Sequence, residues 1–438
     1  MKYNVLDFGA VGDGKTNDGR AIQQAIDACC KSGGVVVLPQ NHTFISGSIV
    51  LKSNVELHLE KNACLKASDR LSDFDLLKKK SIRRVEKPTW ENCDYSGKPT
   101  KYFLYAYQAE NIQITGEGVV DGNEEIFYGT VSPYHIDGYF YPRVPLVYFE
   151  DCKKIAILNV TFQKSAFWTT HLVGCEDVLI DGLKIYNNLR LANCDGIDPD
   201  HCKNVLIRNC TIESADDCIV FKTTKDNHQY GRCSHITVEN CRLISTSAAI
   251  KFGTESVDDF TDITVRNCTI LKSNRGISFQ LRDEGSIKNI RFEHLRIETR
   301  RFSPVEWWGK GEGISITANP RKKNQPVGTI SDVRFFDIQM DCENGIFIYG
   351  DPTQNIFDIT FENIELRLNR KTKWPLDTHD IRPCEGNGTI EGRMNFIKCV
   401  HAKNITFQKM TYQADSEMQK EMNEAFCLEH TTGIQMIK

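Results

Sequence analysis

The sequence predicts an all-β protein: a single-stranded right-handed parallel β-helix, or solenoid, with an N-terminal capping helix. Three observations predict it. Four apolar columns recur along the chain, apolar and polar residues alternate as in strands within each repeat, and asparagines stand at one fixed point of the repeat. No helical period recurs from row to row, which excludes helical and leucine-rich solenoids.

The repeat covers the middle and the end of the chain. In each of nine rows the first residue is apolar, and the residues two, five and seven positions later are apolar or aromatic as well. The first five rows start 23 to 31 residues apart, which is the length of one short coil. The nine rows start at Ile155, Val178, Val205, Ile236, Ile263, Ile290, Val333, Ile359 and Ile405.

The alternation has the period of a strand with one buried face, and its phase slips between the second and third columns. The chain must turn at this slip. Asparagine tolerates left-handed backbone and can hydrogen-bond a like residue stacked above it, so we expect one asparagine-lined corner. The asparagines at the slip are Asn159, Asn209, Asn240, Asn267 and Asn363.

The first residues predict an entry unit. Asn17 or Asp18 can cap a helix that runs through residues 21–28 and ends at Gly33-Gly34, and a buried strand follows at residues 35–39. The glycine-rich loop before this helix lacks the GxxxxGK[ST] pattern of a phosphate-binding loop. We expect one domain, residues 1–438. Its parts are an N-terminal cap (1–50), coils with loop insertions (51–412), and a C-terminal cap (413–438) with a helix from Ser416 to Phe426.

Four insertions interrupt the coils, at residues 70–108, 122–145, 300–328 and 367–398. Their aromatic residues are suited to form walls over a groove on the flank of the coil. These residues are Trp90, Tyr139, Trp307, Trp308 and Trp374.

Composition limits which binding partners and which cellular compartment are expected. The net charge of −4 gives no reason to expect nucleic acid or an anionic membrane as a partner. The sequence contains no apolar run of twenty residues, so it predicts no membrane span. Seventeen cysteines, an odd number without CxxC pairs or zinc spacing, exclude a fully paired disulfide framework. Cys210, Cys241 and Cys268 are expected to fill the core in the third column. Free thiols and a start without a hydrophobic signal region predict a cytoplasmic location, or secretion if a signal peptide had been removed.

Acidic residues cluster in Asn193-Cys194-Asp195-Gly196-Ile197-Asp198 and in Ala215-Asp216-Asp217-Cys218. Extending the alignment by seven residues places Ile197, Ile219, Ile250 and Ile277 in one column, provided that five extra residues are allowed in the row of Ile197. Asp195 and Asp217 each lie two positions before that column, so they should stack on successive coils about 4.8 Å apart.

Adjacent carboxyl groups raise at least one pKa, so one can donate a proton while another activates water. An inverting glycosidase needs such a pair about 6.5–9.5 Å apart. Two alternatives stay open: the aspartates satisfy backbone amides at the turns, or they bind calcium.

At these residues the chain resembles the polygalacturonase-like glycoside hydrolases, family 28, in the pectin-lyase-like β-helix superfamily. The resemblance covers nearly the whole chain, including the segment at its start, residues 4–14, and a second segment at residues 47–55. The family's NxDG motif matches residues 193–196, and its DDC motif matches residues 216–218. The resemblance implies a right-handed parallel β-helix that hydrolyses with inversion and without a cofactor. It implies Asp216 as general acid, with Asp195 and Asp217 as the pair that activates water.

Two departures from the family pattern argue against homogalacturonan as the substrate more than they argue against hydrolysis as the reaction. The family's GHG motif falls at residues 247–249, where Ala248 replaces the histidine, and its RIK motif falls at Ser278-Phe279-Gln280. Arg275 is our leading candidate to hold a substrate carboxylate instead, the alternative being a surface salt bridge with Glu284 or Asp283. The candidate substrate-binding residues are Lys222, Lys251, Arg275, Gln280, Arg282, Trp307 and Trp308.

The leading hypothesis is therefore an exo-acting glycoside hydrolase on pectin-like or related oligosaccharides or polysaccharides, not strictly specific for galacturonate. It needs no metal and no cofactor, and the sequence leaves the oligomeric state undetermined. One alternative is a catalytically silent carbohydrate-binding or structural β-helix, favoured by the missing histidine and opposed by the three retained aspartates. Another is a lyase of similar shape, which would need calcium and a basic catalyst.

Overall fold

The computed structural model describes residues 1–75, 101–137 and 143–438. The chain folds as a right-handed parallel β-helix, as the sequence predicts. Each full coil contributes one strand to each of three parallel ladders that run the length of the molecule. Trp90 and Tyr139, two of the predicted wall residues, lie outside the described residues.

The first ladder carries the first two apolar columns. Its neighbours pair in parallel in chain order. Its strands in the described part of the chain are Lys2–Asn4, Gly34–Leu38, Val55–Leu59, Glu110–Gly116, Lys153–Leu158, Glu176–Asp181, Lys203–Arg208, Cys233–Glu239, Phe260–Arg266, Ile287–Thr299, Ile330–Cys342, Ile356–Leu368, Ala402–Ala414 and Gln435–Ile437.

The second ladder carries the fourth column. From Ile287–Thr299 onward, single long strands serve both the first and the second ladder. The earlier strands of the second ladder are Asp13–Asn17, Thr43–Ser46, Cys64–Ala67, Val119–Asp121, Thr161–Gln163, Lys184–Tyr186, Thr211–Ser214, Arg242–Ser245 and Thr269–Ser273.

The third ladder carries the acidic cluster at its edge, and its neighbours also pair in parallel. Its described strands are Ile49–Val50, Leu104–Tyr107, Val147–Glu150, Thr170–Val173, Ile197–Asp200, Ile219–Thr223, Ala248–Ser256, Arg275–Leu281, Glu312–Ala318, Asn344–Tyr349, Ile397–Val400 and Phe426–Glu429. One antiparallel ribbon, Thr378–Asp380 with Thr389–Glu391, lies in the insertion at 367–398.

Within the described residues, helices are few and short. The α-helices are Gly19–Cys29 and Ser416–Glu421, and the 3-10 helices are Val5–Phe8, Leu71–Asp73, Glu124–Phe127 and Lys225–Tyr230. The C-terminal helix is shorter than predicted, because Phe426 starts a strand of the third ladder. The first α-helix caps the N-terminal end of the coil and buries its apolar stripe. Asp18 stands at its N-cap, but its carboxylate accepts from the N–H groups of Val11 and Gly12, in the loop before the helix. No helix in the described part of the chain has the length and apolar character needed to cross a membrane.

The coil extends into both of the segments predicted as caps. Strand Lys2–Asn4, before residue 50, and strand Gln435–Ile437, after residue 412, both pair with the first ladder. One continuous hydrophobic core nevertheless fills the coil from the first helix to the last rows. The four columns form this interior, with stacked rings such as Phe335 on Phe361 at 4.7 Å between centroids. Tyr412 is the exception among the column residues: it is exposed, since the next strand pairs only with residues 406–408 and leaves it uncovered.

The predicted asparagine corner is confirmed. Asn159, Asn209, Asn240, Asn267 and Asn363 all have left-handed backbone, with φ between 54° and 61°. Some asparagines of this corner hydrogen-bond an aspartate on the neighbouring coil: the side-chain amide of Asn209 donates to Asp181, and that of Asn363 donates to Asp337.

A second left-handed column, which the sequence prediction missed, lies near the start of the first-ladder strands. It contains Asn54, Asn111, Lys154, Asp177, Asn204, His235, Asp262, Asn289, Asp332, Asp358 and Asn404. Its mixed composition, with lysine, histidine and aspartate beside asparagine, hid it in the sequence.

The predicted cysteine column is confirmed as core. Cys210, Cys241 and Cys268 are buried on adjacent coils, and each thiol donates to the carbonyl two residues before it. Sixteen cysteines in the described part of the chain are free thiols.

Candidate active site

The third ladder aligns the acidic residues as the sequence predicts. Ile197 pairs with Ile219, Ile219 with Ile250, and Ile250 with Ile277. Gly196 makes this stacking of turns possible, because a Cβ at its position would lie 2.4 Å from the carbonyl oxygen of Cys218 on the next coil. The turns before the first two of these strands therefore present their aspartates at one place on the flank of the coil.

The three predicted catalytic aspartates meet in one pocket. One carboxylate oxygen from each of Asp195, Asp216 and Asp217 lies within 4.8 Å of the others. The cavity has a volume of about 260 Å³. Its lining consists of His135, Asp137, Trp168, Ala192, Asn193, Asp195, Asp216, Asp217, Lys222, Ser247, Lys251, Thr254, Glu255, Glu306, Trp307 and Trp308.

Asp217 is buried and surrounded by donors. Its Oδ1 accepts from the Ser247 hydroxyl at 3.0 Å and from the Ala248 N–H at 3.1 Å, and its Oδ2 accepts from the Lys251 ammonium at 2.7 Å. These three donors fix the Asp217 carboxyl group in place beside the other two aspartates, where it can take part in proton transfer.

Asp216 is only partly buried, unlike its two neighbours, so its carboxyl group is the one most open to the cavity. Its Oδ2 accepts from the Asn193 N–H at 3.0 Å. Loss of hydration, together with the charge of Asp217, raises the pKa of Asp216 above its ordinary value. A carboxyl group that has a raised pKa and faces the cavity is suited to donate a proton.

Asp195 is 2% exposed, and burial together with the charge of Asp216 raises its pKa to about 8. Behind it, fully buried Asp198 has its pKa raised well above the ordinary value by burial and by Asp195. Neither oxygen of Asp198 receives a hydrogen bond from a described residue, and Oδ1 of Asp195 receives none either. The sequence prediction did not assign Asp198 to the site, although it lies in the same motif.

The Lys222 ammonium group lies among these buried acidic side chains. Its ammonium lies 3.2 Å from Glu255, 3.4 Å from Asp195 and 3.8 Å from Asp198, and 4.2 Å from the ring centroid of Trp168. Burial alone would lower the pKa of Lys222, but Glu255 and the aspartates raise it well above its ordinary value. Burial likewise opposes the charge of Glu255, yet Lys222, Arg321 and Lys251 lower its pKa to about 2.

Lys222 and Lys251 are thus in the pocket as predicted, but Arg275, Gln280 and Arg282 do not line it. Arg275 is buried with its guanidinium 3.5 Å from Glu312 and 3.9 Å from Asp380, so neither Glu284 nor Asp283 is its partner in these contacts. Gln280 donates to the Arg382 carbonyl, and Arg282 donates to carbonyls of residues 281, 317 and 381–383. These three side chains hold the insertion at 367–398 against the third ladder.

The two tryptophans differ in their surroundings. Trp307 is 6% exposed and packs in a small cluster with Ile136, Leu191, Cys194 and Ala215, while its indole N–H donates to the Tyr134 carbonyl at 2.8 Å. Trp308 is only partly buried, and the Arg382 guanidinium lies 5.6 Å from its ring centroid. Trp374 packs edge-on against Tyr134 and does not line the pocket.

Truncation of the two tryptophans should therefore have opposite consequences. Trp307→Ala should lower stability by about 3–5 kcal/mol, because it empties a buried cluster. Trp308→Ala should raise KM with little change in Tm, because its ring faces the cavity. Thermal unfolding and steady-state kinetics of the two variants, measured side by side, test this. Equal Tm losses in both variants would contradict it.

The acidic cluster is a poor fit for calcium. Asp195, Asp216 and Asp217 could offer three oxygens to one ion, and calcium takes six to eight oxygen ligands. Two ammonium groups, those of Lys251 and Lys222, already stand within 2.7 Å and 3.4 Å of Asp217 and Asp195. A divalent cation would have to displace or tolerate both.

Several pocket residues escaped the sequence prediction. Trp168 and Glu255 lie in strands or turns with no motif of their own, and His135, Asp137 and Glu306 come from insertions with no repeat to align. The available signal was register: Glu255 lies in the strand Ala248–Ser256 that carries Lys251, and Asp198 is the second residue of the strand Ile197–Asp200 that follows Asp195.

The raised pKa of Asp195 predicts a pH-dependent stability. The folded state keeps a proton that the unfolded chain releases near pH 4, so this stabilisation is complete below pH 4 and is lost as the pH rises to about 8. Asp195→Asn removes the effect. The Tm of the variant relative to the unmodified protein should therefore climb between pH 4 and pH 8 and then level off. Thermal unfolding across this range measures it, and a constant difference would show that Asp195 ionises normally.

Glycoside hydrolysis uses a pair of carboxyl groups whose environments give them different tendencies to hold a proton, and this pocket brings buried and half-buried carboxyl groups together. A family model for glycosyl hydrolases family 28 matches residues 86–306, just over half of the chain. A second model, described as rhamnogalacturonase A/epimerase, pectate lyase-like, matches residues 2–137. The chain belongs to glycosyl hydrolases family 28 and is a glycoside hydrolase.

Known relatives agree with this membership. A "Probable polygalacturonase" of Vitis vinifera is 27% identical over 385 residues, which are 84% of this chain and 75% of that protein. The family 28 exopolygalacturonase of Yersinia enterocolitica superposes with a TM-score of 0.75 at 19% identity, over 99% of this chain and 78% of that one. An exopolygalacturonase from Thermotoga maritima gives a TM-score of 0.60 at 19% identity, over 98% and 92%. At these identities the structural likeness shows the shared fold.

Proposed function

We propose that the protein cleaves glycosidic bonds of pectin-like or related saccharides by acid/base catalysis with three aspartates. The observation that carries this proposal is the contrast within one pocket. Asp216 is open to the cavity and has a raised pKa, whereas the Asp217 carboxyl group accepts hydrogen bonds from three donors. In the proposed step, Asp216 gives its proton to the glycosidic oxygen as the C1–O bond breaks. Water attacks C1 and loses its proton to Asp217, while Asp195 orients that water.

The stereochemistry that we propose is inversion, which the family resemblance implies. The oxygens of the three aspartates approach within 4.8 Å, closer than the ~6.5–9.5 Å between carboxyl groups usual for inverting pairs. Proton NMR of the first-formed anomer distinguishes inversion from retention.

Exo-action is supported by contact between two insertions. Trp307, from the insertion at 300–328, donates to the carbonyl of Tyr134, and its ring lies edge-on to His135 at 5.3 Å. Both of these partners belong to the insertion at 122–145. The two insertions thus meet beside the catalytic aspartates. A groove open at both ends would need a continuous channel at this place. A closed end admits a chain terminus, so we expect single residues or short units to be released.

The substrate class follows from relatives and from the departures in the sequence. The relatives named above are called polygalacturonases or exopolygalacturonases. We propose a pectic substrate without strict specificity for galacturonate, because Ala248, Ser278 and Gln280 stand where the family has its histidine, arginine and lysine.

The test is release of reducing sugar from pectic oligosaccharides by the purified protein, with product lengths followed by chromatography. Activity that survives EDTA and yields saturated products supports hydrolysis, whereas calcium-dependent unsaturated products would indicate a lyase. Binding without turnover would favour a non-catalytic carbohydrate-binding β-helix. The cytoplasmic location stays a prediction, to be tested by fractionation of the source cells.

A further inference from the structure

The pocket carries far more negative than positive groups. Six carboxyl groups line it, at Asp137, Asp195, Asp216, Asp217, Glu255 and Glu306, against the ammonium groups of Lys222 and Lys251. His135 adds no charge near neutral pH, because burial lowers its pKa. Even when Asp195 and Asp216 each keep a proton, four carboxylates face two ammonium groups.

Both ammonium groups are already paired. Lys251 lies 2.7 Å from Asp217, and Lys222 lies 3.2 Å from Glu255 and 3.4 Å from Asp195. Drawing either lysine toward a ligand anion would leave a buried carboxylate without its counter-ion. Breaking a buried pair in this way is strongly unfavourable.

No arginine of the described chain lines the pocket to replace these lysines. Arg275 and Arg282 are buried, the first against Glu312 and Asp380 and the second against main-chain carbonyls. Arg382 pairs with Asp380. A uronic acid carboxylate would therefore enter a negative cavity without the bidentate partner that usually recognises it.

We propose that the pocket selects a neutral glycosyl residue at the cleavage position and discriminates against a uronic acid there. This inference rests on the proposed hydrolase function and specifies its substrate class: a neutral sugar at the non-reducing end of a pectin-like chain or side chain. Sugar hydroxyls suit the site, because they can donate to carboxyl groups of the pocket lining such as those of Asp137 and Glu306, which are only partly buried. The ring faces can pack on Trp168 and Trp308.

A matched pair of substrates tests the charge directly. Nitrophenyl α-galactoside and α-galacturonide differ only at C6, where a neutral CH2OH replaces a carboxylate, and nitrophenyl rhamnoside, xyloside and arabinofuranoside extend the neutral set. We expect at least one neutral glycoside to exceed the galacturonide about tenfold or more in kcat/KM. A galacturonide that is cleaved as fast as every neutral glycoside would overturn the inference and leave hydrolysis intact.

If no glycoside is cleaved, the proposed function fails, and binding decides the charge inference separately. Tryptophan fluorescence titrated with galactose, rhamnose and galacturonate reports on the pocket, since three tryptophans line it. A response to a neutral sugar but not to galacturonate supports the inference. A response to galacturonate of equal affinity, or to none of these sugars, overturns it.

A charge-removal variant provides a second arm. Glu306→Gln removes one negative charge from the pocket and should raise the galacturonide-to-neutral ratio of kcat/KM several-fold. Glu117→Gln removes the same charge at an exposed turn outside the pocket and should leave that ratio unchanged. Equal ratios in both variants would overturn the role of pocket charge in selection.

Discussion

Replacing Asp216 with asparagine is expected to lower kcat on natural glycosides by about 10²–10⁴, because the variant keeps the shape of the side chain but has no proton to donate. The Asn193 N–H can still donate to the amide oxygen of the new side chain. Stability should hold or rise, since repulsion from Asp217 is relieved. A nitrophenyl glycoside should lose less activity, because its leaving group needs less protonation. Kinetics on both substrate types measure the difference.

Asp7→Asn, an equal change at an exposed position near the N-terminal end, serves as the control and should leave kcat unaltered. Unchanged activity of Asp216→Asn on natural glycosides would remove Asp216 from the role of general acid. Unfolding of this variant would instead assign the aspartate to turn structure, which its partial exposure argues against.

Phe335→Ala should cost about 3–5 kcal/mol of unfolding free energy, because it removes a large aromatic ring from the core of the coil. The ring is fully buried and stacks on Phe292 at 4.9 Å and on Phe361 at 4.7 Å, on the coils to either side. A void here would interrupt the side-chain stacking between neighbouring coils, and in a solenoid each coil contacts only its neighbours. Denaturant unfolding, with midpoint and slope both recorded, gives the loss.

The adjacent Phe336 offers a matched control. It is partly exposed on the outer face of the same strand, where it contacts His294 and Arg334. Phe336→Ala should cost less than about 1 kcal/mol, since surface substitutions have small effects. Similar losses at both positions would mean that the strand does not separate a core face from a solvent face.

The site also shows how the departures from the family pattern are accommodated around Asp217. Ala248, in the place expected for the family histidine, offers no side-chain donor, but its main-chain N–H donates to Asp217. Lys251, three residues later on the same strand, supplies a positive charge to the other oxygen of that carboxylate. The aspartate is thus held by three donors without an imidazole. The same pairing keeps Lys251 from serving a substrate carboxylate.

The sequence by itself determined the coil, and it did so because stacking is local in a solenoid. Each row places its apolar residues directly over those of the row before, so Ile197, Ile219, Ile250 and Ile277 could be aligned without knowing the fold's outer parts. The same register placed Asp195 beside Asp217. The asparagine corner was predictable because left-handed backbone restricts residue choice. The column of mixed left-handed residues was not, since its composition carries no single signature.

Only the tertiary structure decided what surrounds the aspartates. Register predicted Arg275 above Ala248, and the two do pair, yet the arginine side chain lies buried against Asp380, over a hundred residues later in the chain. Whether Trp307 anchors a loop or faces a ligand likewise depends on its contact with Tyr134 in another insertion. Stacking within the coil follows a repeat that the sequence displays, whereas packing between insertions joins distant, non-repeating segments. The charge balance of the pocket is set by that packing, because burial and ion pairing determine which lysine and which carboxyl group can act on a ligand.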